Sequence, residues 1–386
     1  MAQMINEESL AHLANYLDEG DIILYAGEQA AKIHKSLAAI KDRFSFQAID
    51  YQNREANSTI TDINNYFSTS TVPHINLLIL DIAEPEIERL LRNAQRFLNK
   101  QSIDYILMDC GREDNNNLTD YLGTYGYKLF CTAAADKVIQ ASGAESAAHA
   151  KDCCLQIAVS ERLVRYVNKD RKGMFNYAKL FNKHGISPQG VIHIGAHHGE
   201  EVGNYREAGV KRILMVEADP DSYTVLLNNY GTDAGVDAIH ALISDTECET
   251  EFHRMSSSQS SSMLDLKEHS RIYKSIKKTE TLKMYTTTLD RLVVGHAVDM
   301  NEYNILALDV QGAELKVLHG ARTVLGTIQA IITEVNYKEL YEGAGLIWEL
   351  DDYLNKFGFK RIETVSPHHP SWGDALYIKS AVATDS

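Results

Sequence analysis

Apolar and polar positions over residues 185–380 follow two alternating periods. Compact apolar runs at 190–194, 211–217, 238–243, 305–309 and 329–336 read as buried strands, and the runs at 359–365 and 374–379 add two terminal ones. Between them, 199–208, 221–229, 312–325 and 346–357 carry the three- and four-residue spacing of amphipathic helices, while 245–262 is a polar excursion. Strands alternating with helices predict a mostly parallel sheet covered on both faces. Ligands of such sheets bind beyond the carboxyl ends of the strands, and Gly195, Glu217, Asp245, Asp309 and Glu334 all fall at predicted strand ends.

The richest stretch is GVIHIGAHHGEEVGNYREAGVKRILMVEADP, residues 190–220. Its first strand runs into Gly195 and Gly199, which let the backbone pass close to a ligand, and its second ends at Glu217, where a carboxylate can accept bonds from both ribose hydroxyls. A dinucleotide turn needs three glycines as GxGxxG to seat a pyrophosphate against helix amides, and here there are two, as GxxxG. Adenosine without a pyrophosphate fits better. A dinucleotide and a ligand-free structural turn are the alternatives, and no GxxxxGK[ST] phosphate loop occurs.

The two halves of the chain echo each other. Residues 76–110 and 304–336 each begin with an apolar strand ending in Asp, followed by an amphipathic helix with Glu five residues on, so Asp81 and Glu86 match Asp309 and Glu314. The match resumes in DYLGTYGYK, residues 120–128, and DYLNKFGFK, residues 352–360, where a helix stops at Gly126 or Gly358. Upstream, 21–32 is a strand, turn and helix, and 44–50 a strand ending in Asp50. Gly27 has no glycine four residues later, so the first half is expected to be a degenerate, non-catalytic copy, with an unrelated small α/β domain and a second working site as the alternatives. Residues 132–158 are rich in Ala and Ser and read as a linker, 159–184 as a helical lead-in, and Gly185 and Pro188 end that helical pattern. The expected organisation is a degenerate Rossmann-like α/β domain at 1–131, the linker, the lead-in and a larger domain at 185–386.

A chain of 386 residues is long enough for two cores. Its formal charge of −15 argues against nonspecific attraction to nucleic acid or to an anionic membrane, and favours a small-molecule partner. The first residues carry early acidic positions and no long apolar core, so no signal peptide is read there, and no apolar run long enough for a membrane span follows. Cys110, Cys131, Cys153, Cys154 and Cys248 lack paired CxxC spacing, which favours a reducing, cytoplasmic setting over a disulfide framework or zinc ribbon.

These motifs together resemble the FkbM family of methyltransferases over about residues 184–380. The resemblance rests on HIGAHHGEE at 193–201, VEADP at 216–220, LISDTECETEFH at 242–253, SSSML at 260–264, TTLDRL at 287–292 and LALDVQGAELKVLHGA. It implies a doubly wound class I, Rossmann-like domain that uses S-adenosylmethionine, preceded by the smaller degenerate α/β domain. It also implies roles for single residues. Gly195 and Gly199 would border the methionine part of the cofactor, together with His193 and Ala196 of the same loop; Glu217, with Ala218, would bind the ribose; Asp245 would approach the adenine amino group. Asp309 and Glu314 stand in a D-x-E-G-x-E pattern in which Gln311 replaces the middle carboxylate, a departure that weakens the case for a divalent metal. Glu334 matches a recurrent acid at the next strand end. Transfer to a hydroxyl of a sugar or other small metabolite is the implied reaction.

Such a reaction needs a base for the hydroxyl proton, and Asp309, Glu334, His197 and His198 are the candidates. The histidines do not have the spacing of a helical HExxH site, so no metal is assigned. The serine-rich 255–264 is expected to form a flap over the acceptor, with a self-satisfied solvent loop as the alternative; without a GxSxG elbow a serine hydrolase is disfavoured. Tyr337, Tyr341 and Trp348 are placed either beside the acceptor or in the core. An NAD-dependent oxidoreductase and a non-catalytic scaffold remain alternatives, and a homodimer is expected only on the frequency of closed twofold pairs.

Overall fold

The computed structural model describes residues 10, 16–18, 20–27, 29–40, 44–49, 74–82, 84–109, 116–133, 137–140 and 155–380. The chain forms two compact units, Met1–Asp170 and Arg171–Ser386. Asp50, Cys110, Cys153 and Cys154 lie outside the described residues. Among the described residues no helix is long and apolar enough to cross a membrane.

The first unit contains β1 (Ile22–Gly27), β2 (Ser45–Ile49), β3 (Ile75–Asp81), β4 (Ile103–Asp109), β5 (Tyr127–Ala133), β6 (Lys137–Gln140) and β7 (Leu155–Ser160) in one sheet of order β2-β1-β3-β4-β7-β5-β6. The first four strands pair in parallel, and β7 runs antiparallel to both β4 and β5. Successive strand residues point to opposite faces, so Leu24, Leu78 and Ile106 enter one core while Ile23, Leu77 and Tyr105 enter the other.

The expected linker at 132–158 is corrected by this sheet. Two strands lie within it or begin in it, and β7 sits inside the sheet rather than at an edge. Ala- and Ser-rich composition averages out the short apolar run of β7, and among the described strands β6 pairs with β5 alone. The lead-in at 159–184 is divided as well: Glu161–Leu163 and Val164–Val167 belong to the first unit, and the helix Tyr177–His184 to the second.

The second unit holds β8 (Gly190–Ile194), β9 (Arg212–Glu217), β10 (Val236–His240), β11 (Leu242–Ile243), β12 (Glu249–Met255), β13 (Lys278–Thr287), β14 (Ile305–Leu308), β15 (Ala330–Asn336), β16 (Phe359–Val365) and β17 (Trp372–Lys379). Its main sheet has the order β10-β9-β8-β14-β15-β17-β16, parallel except for β17, which runs antiparallel to both neighbours. Apolar clusters cover both faces, the doubly wound arrangement of a class I, Rossmann-like domain.

Three local differences from the sequence reading have physical causes. The run 238–243 divides at Ala241, whose N–H turns to the Glu217 carbonyl, and β11 then pairs with β13. The helix expected over 312–325 breaks at Gly320, where a Cβ would lie 2.2 Å from the Ser244 carbonyl oxygen. Its second piece, Arg322–Thr327, is capped by Asp290, which accepts from the N–H groups of Thr323 and Val324. The polar excursion hides β12, which forms an antiparallel pair with β13, itself mostly exposed and polar.

The internal echo is visible in topology. The succession β2-β1-β3-β4-β7-β5 repeats β9-β8-β14-β15-β17-β16 strand for strand in order and direction. Gly27 pairs with Asp81 at the ends of β1 and β3, where Gly195 and Asp309 follow β8 and β14. In the first unit this turn is filled. The Tyr25 hydroxyl lies 2.7 Å from Asp81 Oδ2 and 3.0 Å from the Gln29 nitrogen, and a Cβ on Gly27 would meet it at 2.4 Å.

Candidate active site

The turn after β8 exists because of one glycine. Gly195 has φ +83°, and a Cβ there would stand 1.9 Å from the Asp309 carbonyl oxygen, an overlap no side chain survives. The amides of Gly195 and Ala196 both donate to the Val216 carbonyl, at 2.8 and 3.2 Å, which ties the turn to the end of β9. Gly199, also at φ +83°, has a different neighbourhood: its Cβ would meet the Tyr230 ring and Leu226. It seats the turn on the helix Pro220–Tyr230.

Glu217 closes β9 with its side chain buried. Oε2 accepts from the His197 N–H at 2.7 Å and Oε1 from the Asp219 N–H at 2.7 Å. Burial pushes this carboxyl up, and the two amides oppose that shift. An ionised carboxylate accepts about four hydrogen bonds, so two acceptor positions remain for a ligand. Asp219 of the same motif does other work: it caps the next helix through the N–H groups of Asp221 and Ser222 and holds Arg254 at 2.6 and 2.8 Å.

Beyond the carboxyl ends of β8, β9, β14 and β15 lies a cavity of about 810 Å³. His193, Gly195, Ala196, Glu217 and Ala218 line one part of it, and Asp309 and Glu334 another. Ala241, Leu242, Ile243 and Phe252 give an apolar side, while Tyr273, His368 and Trp372 form an aromatic one. Apart from histidines and tyrosines, its ionisable side chains are all carboxylic acids: Glu200, Glu201, Glu217, Asp309, Glu334 and Asp374, with no lysine or arginine among the described lining residues.

Asp309 opens into this cavity although protein surrounds it, and burial raises its pKa. Glu334 is buried, and burial, followed by the charges of Asp309 and Glu314, holds it well above the usual carboxylate range. Between them stands Gln311. Its Nε2 donates to Asp309 Oδ1 at 2.7 Å and to Glu334 Oε2 at 3.1 Å. Asp374 faces Glu334 across the β15–β17 ladder, and its pKa is likewise raised, first by burial and then by Asp309. Glu314 is not part of the cavity. Its Oε1 accepts from the amides of Val310 and Gly312, and burial lifts it to about 7.

Two histidines are separated in role by the fold. His193 is buried with Nδ1 3.2 Å from the Tyr205 hydroxyl, and burial lowers its pKa to about 4, so it is neutral near pH 7. His197, at φ +47°, places Nδ1 2.7 Å from Glu200 Oε1 and Nε2 2.8 Å from Ser258 Oγ, so the glycine turn is fastened to the serine-rich segment. That segment lines the cavity from Ser257 to Ser261, and Ser262 Oγ donates to the Gln311 carbonyl at 2.8 Å.

Three expected site residues fall elsewhere. Asp245 does not line the cavity; its Oδ1 accepts from Ser244 Oγ at 3.0 Å and Thr246 Oγ1 at 3.3 Å, because the chain turns away toward β12 before reaching it. His198 stacks on His197 and faces a shallower surface pocket with Asp219 and Arg254. Gly199 is outside the lining for the packing reason given above. Tyr337 belongs to the core and Trp348 packs against it, whereas Tyr341 reaches Gln311 Oε1 at 2.8 Å. The sequence reading missed Glu201, Asp374, Tyr273 and Trp372. Asp374 had one signal, its place at the start of a strand in an α/β domain, but an antiparallel strand presents its first residues at the ligand end only once its direction is known.

Residues 193–361 match the family model described as the methyltransferase FkbM domain. No curated protein matches the chain by sequence. Among solved structures, a SAM-dependent methyltransferase from Aquifex aeolicus is similar at 11% identity, over 54% of this chain and 91% of its own, with a TM-score of 0.31. A TehB-like SAM-dependent methyltransferase from Corynebacterium glutamicum is similar at 9% identity over 56% and 94%, with a TM-score of 0.29. Magnesium protoporphyrin IX methyltransferase from Synechocystis, with bound SAM, is similar at 9% identity over 53% and 76%, with a TM-score of 0.30.

Proposed function

We propose, from a C-terminal half that is an FkbM methyltransferase domain using S-adenosylmethionine, that this domain methylates a hydroxyl of a sugar or another small uncharged metabolite. The observation that carries the acceptor class is the set of ionisable groups that line the cavity. Its described lining holds six carboxyl groups and neither lysine nor arginine, so an acceptor phosphate or carboxylate would enter without a counter-charge. A cavity lined by carboxyl groups and by the rings of Trp372 and Tyr273 suits a polyol, whose hydroxyls donate and whose C–H faces pack on aromatic surfaces.

The residues present fit the cofactor. A turn that only glycine fits borders the cavity at Gly195, Glu217 keeps two acceptor positions, and the apolar side formed by Leu242, Ile243 and Phe252 suits an adenine ring. When bound, S-adenosylmethionine supplies a methyl group activated by the sulfonium. Asp309 takes the proton of the acceptor hydroxyl, while Glu334, which burial and then the charges of Asp309 and Glu314 push toward its protonated form, donates to an acceptor oxygen and fixes its position. The serine-rich segment, fastened through Ser258 and His197, keeps water from the site.

The test offers the full-length protein methyl-labelled S-adenosylmethionine with neutral sugars, amino sugars, sugar phosphates and uronic acids in parallel. Label on the neutral hydroxyl compounds supports the reading; label confined to phosphates or uronates overturns it. Asp309→Asn is expected to retain cofactor binding and to lower kcat by about 100-fold or more, the usual contribution of a positioned base.

The first unit, its turn filled by Tyr25, is assigned a supporting role in assembly or acceptor delivery, with a homodimer as the expected form. Light scattering and acceptor kinetics on the full chain and on a form lacking 1–170 test this: unchanged mass and kinetics would remove both roles. We place the protein in the cytoplasm, where thiols such as the free Cys248 stay reduced.

A further inference from the structure

Gln311 has more of its hydrogen-bonding capacity engaged than any spacer residue requires. Both protons of its side-chain nitrogen go to carboxyl oxygens, on Asp309 at 2.7 Å and on Glu334 at 3.1 Å. Its side-chain oxygen lies 2.8 Å from the Tyr341 hydroxyl, and its main-chain carbonyl accepts from Ser262 Oγ at 2.8 Å. These partners fix the amide's orientation, because the reverse one would set its oxygen against two carboxyl groups. The main chain is committed too: Gln311 has φ +53° and Gly312 +95°, and Glu314 Oε1 bonds the amides of Val310 and Gly312. A non-glycine residue in the left-handed region costs energy, and here the surrounding bonds hold it there.

We infer that Gln311 is a positioning residue whose amide stands where a divalent cation would stand if residue 311 were a carboxylate, clamping Asp309 and Glu334 into one proton-sharing pair. An amide nitrogen gives two donors and no net charge. The two carboxyls it joins therefore resist ionising together: the proton is held on Glu334, the more buried of the two, and Asp309, which opens into the cavity, is left to accept the acceptor's proton. A third carboxylate at 311 would reverse the balance. Three oxygen ligands within reach of one point, facing an open cavity, form the hard-donor set of Mg²⁺ or Mn²⁺. The inference rests on the proposed role of Asp309, but it makes a statement about the cluster that is readable without turnover.

Mn²⁺ binding to full-length wild type and to Gln311→Glu is measured by calorimetry, with S-adenosylmethionine binding to each as the check that the fold persists. The expected result is saturable Mn²⁺ binding by Gln311→Glu at least about tenfold tighter than by wild type, lost again when Asp309→Asn is added. Equal Mn²⁺ affinity in the wild type and in a Gln311→Glu that still binds the cofactor would overturn the clamp. Should Gln311→Glu fail to fold, Gln311→Met decides: deleting both donors is expected to move the acidic limb of the methyl-transfer pH profile upward by about one unit, and an unmoved limb overturns the inference. Failure of the functional reading has a different signature, namely wild type that binds no S-adenosylmethionine, and the Mn²⁺ comparison still stands in that case.

Discussion

The main-chain nitrogen of His197 donates to Glu217 Oε2 across 2.7 Å, joining a left-handed residue of the glycine turn to the carboxylate at the end of the next strand. The two motifs are therefore one structural unit. Removing either side disturbs the other before any ligand is considered.

Glu217→Ala is expected to weaken S-adenosylmethionine binding by at least about tenfold, since charge-assisted hydrogen bonds contribute roughly 1.5–3 kcal/mol each. Glu217→Gln keeps an oxygen for one of the two amides and is expected to fold nearly as wild type while still binding more weakly. Calorimetry should also return one cofactor per chain, because the corresponding turn of the first unit is filled by Tyr25. A second site of similar affinity, or an unchanged dissociation constant for folded Glu217→Ala, would contradict the assignment.

Alanine at three glycines should rank by what the new methyl meets. Gly195→Ala strikes the Asp309 carbonyl at 1.9 Å and is expected to abolish cofactor binding and lower the melting temperature most. Gly199→Ala presses on the side chains of Tyr230 and Leu226, which can move, and should cost less despite φ +83°. Gly203 sits in the helix Val202–Glu207 with nothing within 4 Å of its Cβ position, so Gly203→Ala should be neutral or stabilise by about 0.5–1 kcal/mol. Thermal melts of the three variants check the order.

Glu314 gives a pH signature of stability. Its folded pKa of about 7 lies above the ordinary 4.5, so the folded state holds the proton more tightly. Its contribution is fully present below pH 4.5 and is lost as pH rises through 7, amounting to about 3 kcal/mol over that window. Glu314→Gln should reduce the fall in stability across this range without abolishing it, since Glu334 and Asp374 are raised in the same direction. Urea melts at pH 5, 6, 7 and 8 measure the slope, and an unchanged slope would show that Glu314 does not titrate there.

In the first unit, Arg162 and Asp104 form a fully buried ion pair, with His74 Nε2 3.0 Å from the same carboxylate. Burial opposes the charge on Asp104, but Arg162 and His74 overcome it and hold its pKa below the usual value. Arg162→Met is expected to cost about 3–5 kcal/mol by stranding that charge. The pair's contribution is present above the ordinary carboxylate pKa and lost as pH falls below it, so the variant should lose least at low pH. Differential scanning calorimetry, with cofactor affinity measured alongside, checks both; the 171–386 unit should keep its affinity.

The strand and helix succession of the second unit was legible because its strands are buried on both faces and so read as continuous apolar runs. What composition misled was the sheet's margins. The polar β13 is mostly exposed and has little core to impose a pattern, and β7 was averaged into an Ala- and Ser-rich segment. For the same reason the boundary between units fell at 170/171 rather than in the expected linker.

The sequence by itself determined the glycine that the turn requires, the carboxylate that follows it, the acids at the ends of β14 and β15, and the duplication that pairs Asp81 with Asp309. Each is a local requirement of backbone geometry or of strand ends, written within one or two elements. Tertiary structure alone decided that Asp245 and His198 turn outward, that Asp374 comes in on an antiparallel strand opposite Glu334, and that Gln311 joins Asp309 to Glu334 instead of merely diluting their charge. Those outcomes depend on side chains from distant segments meeting at one point, where distance and burial, rather than residue type, set what each group can donate, accept or ionise.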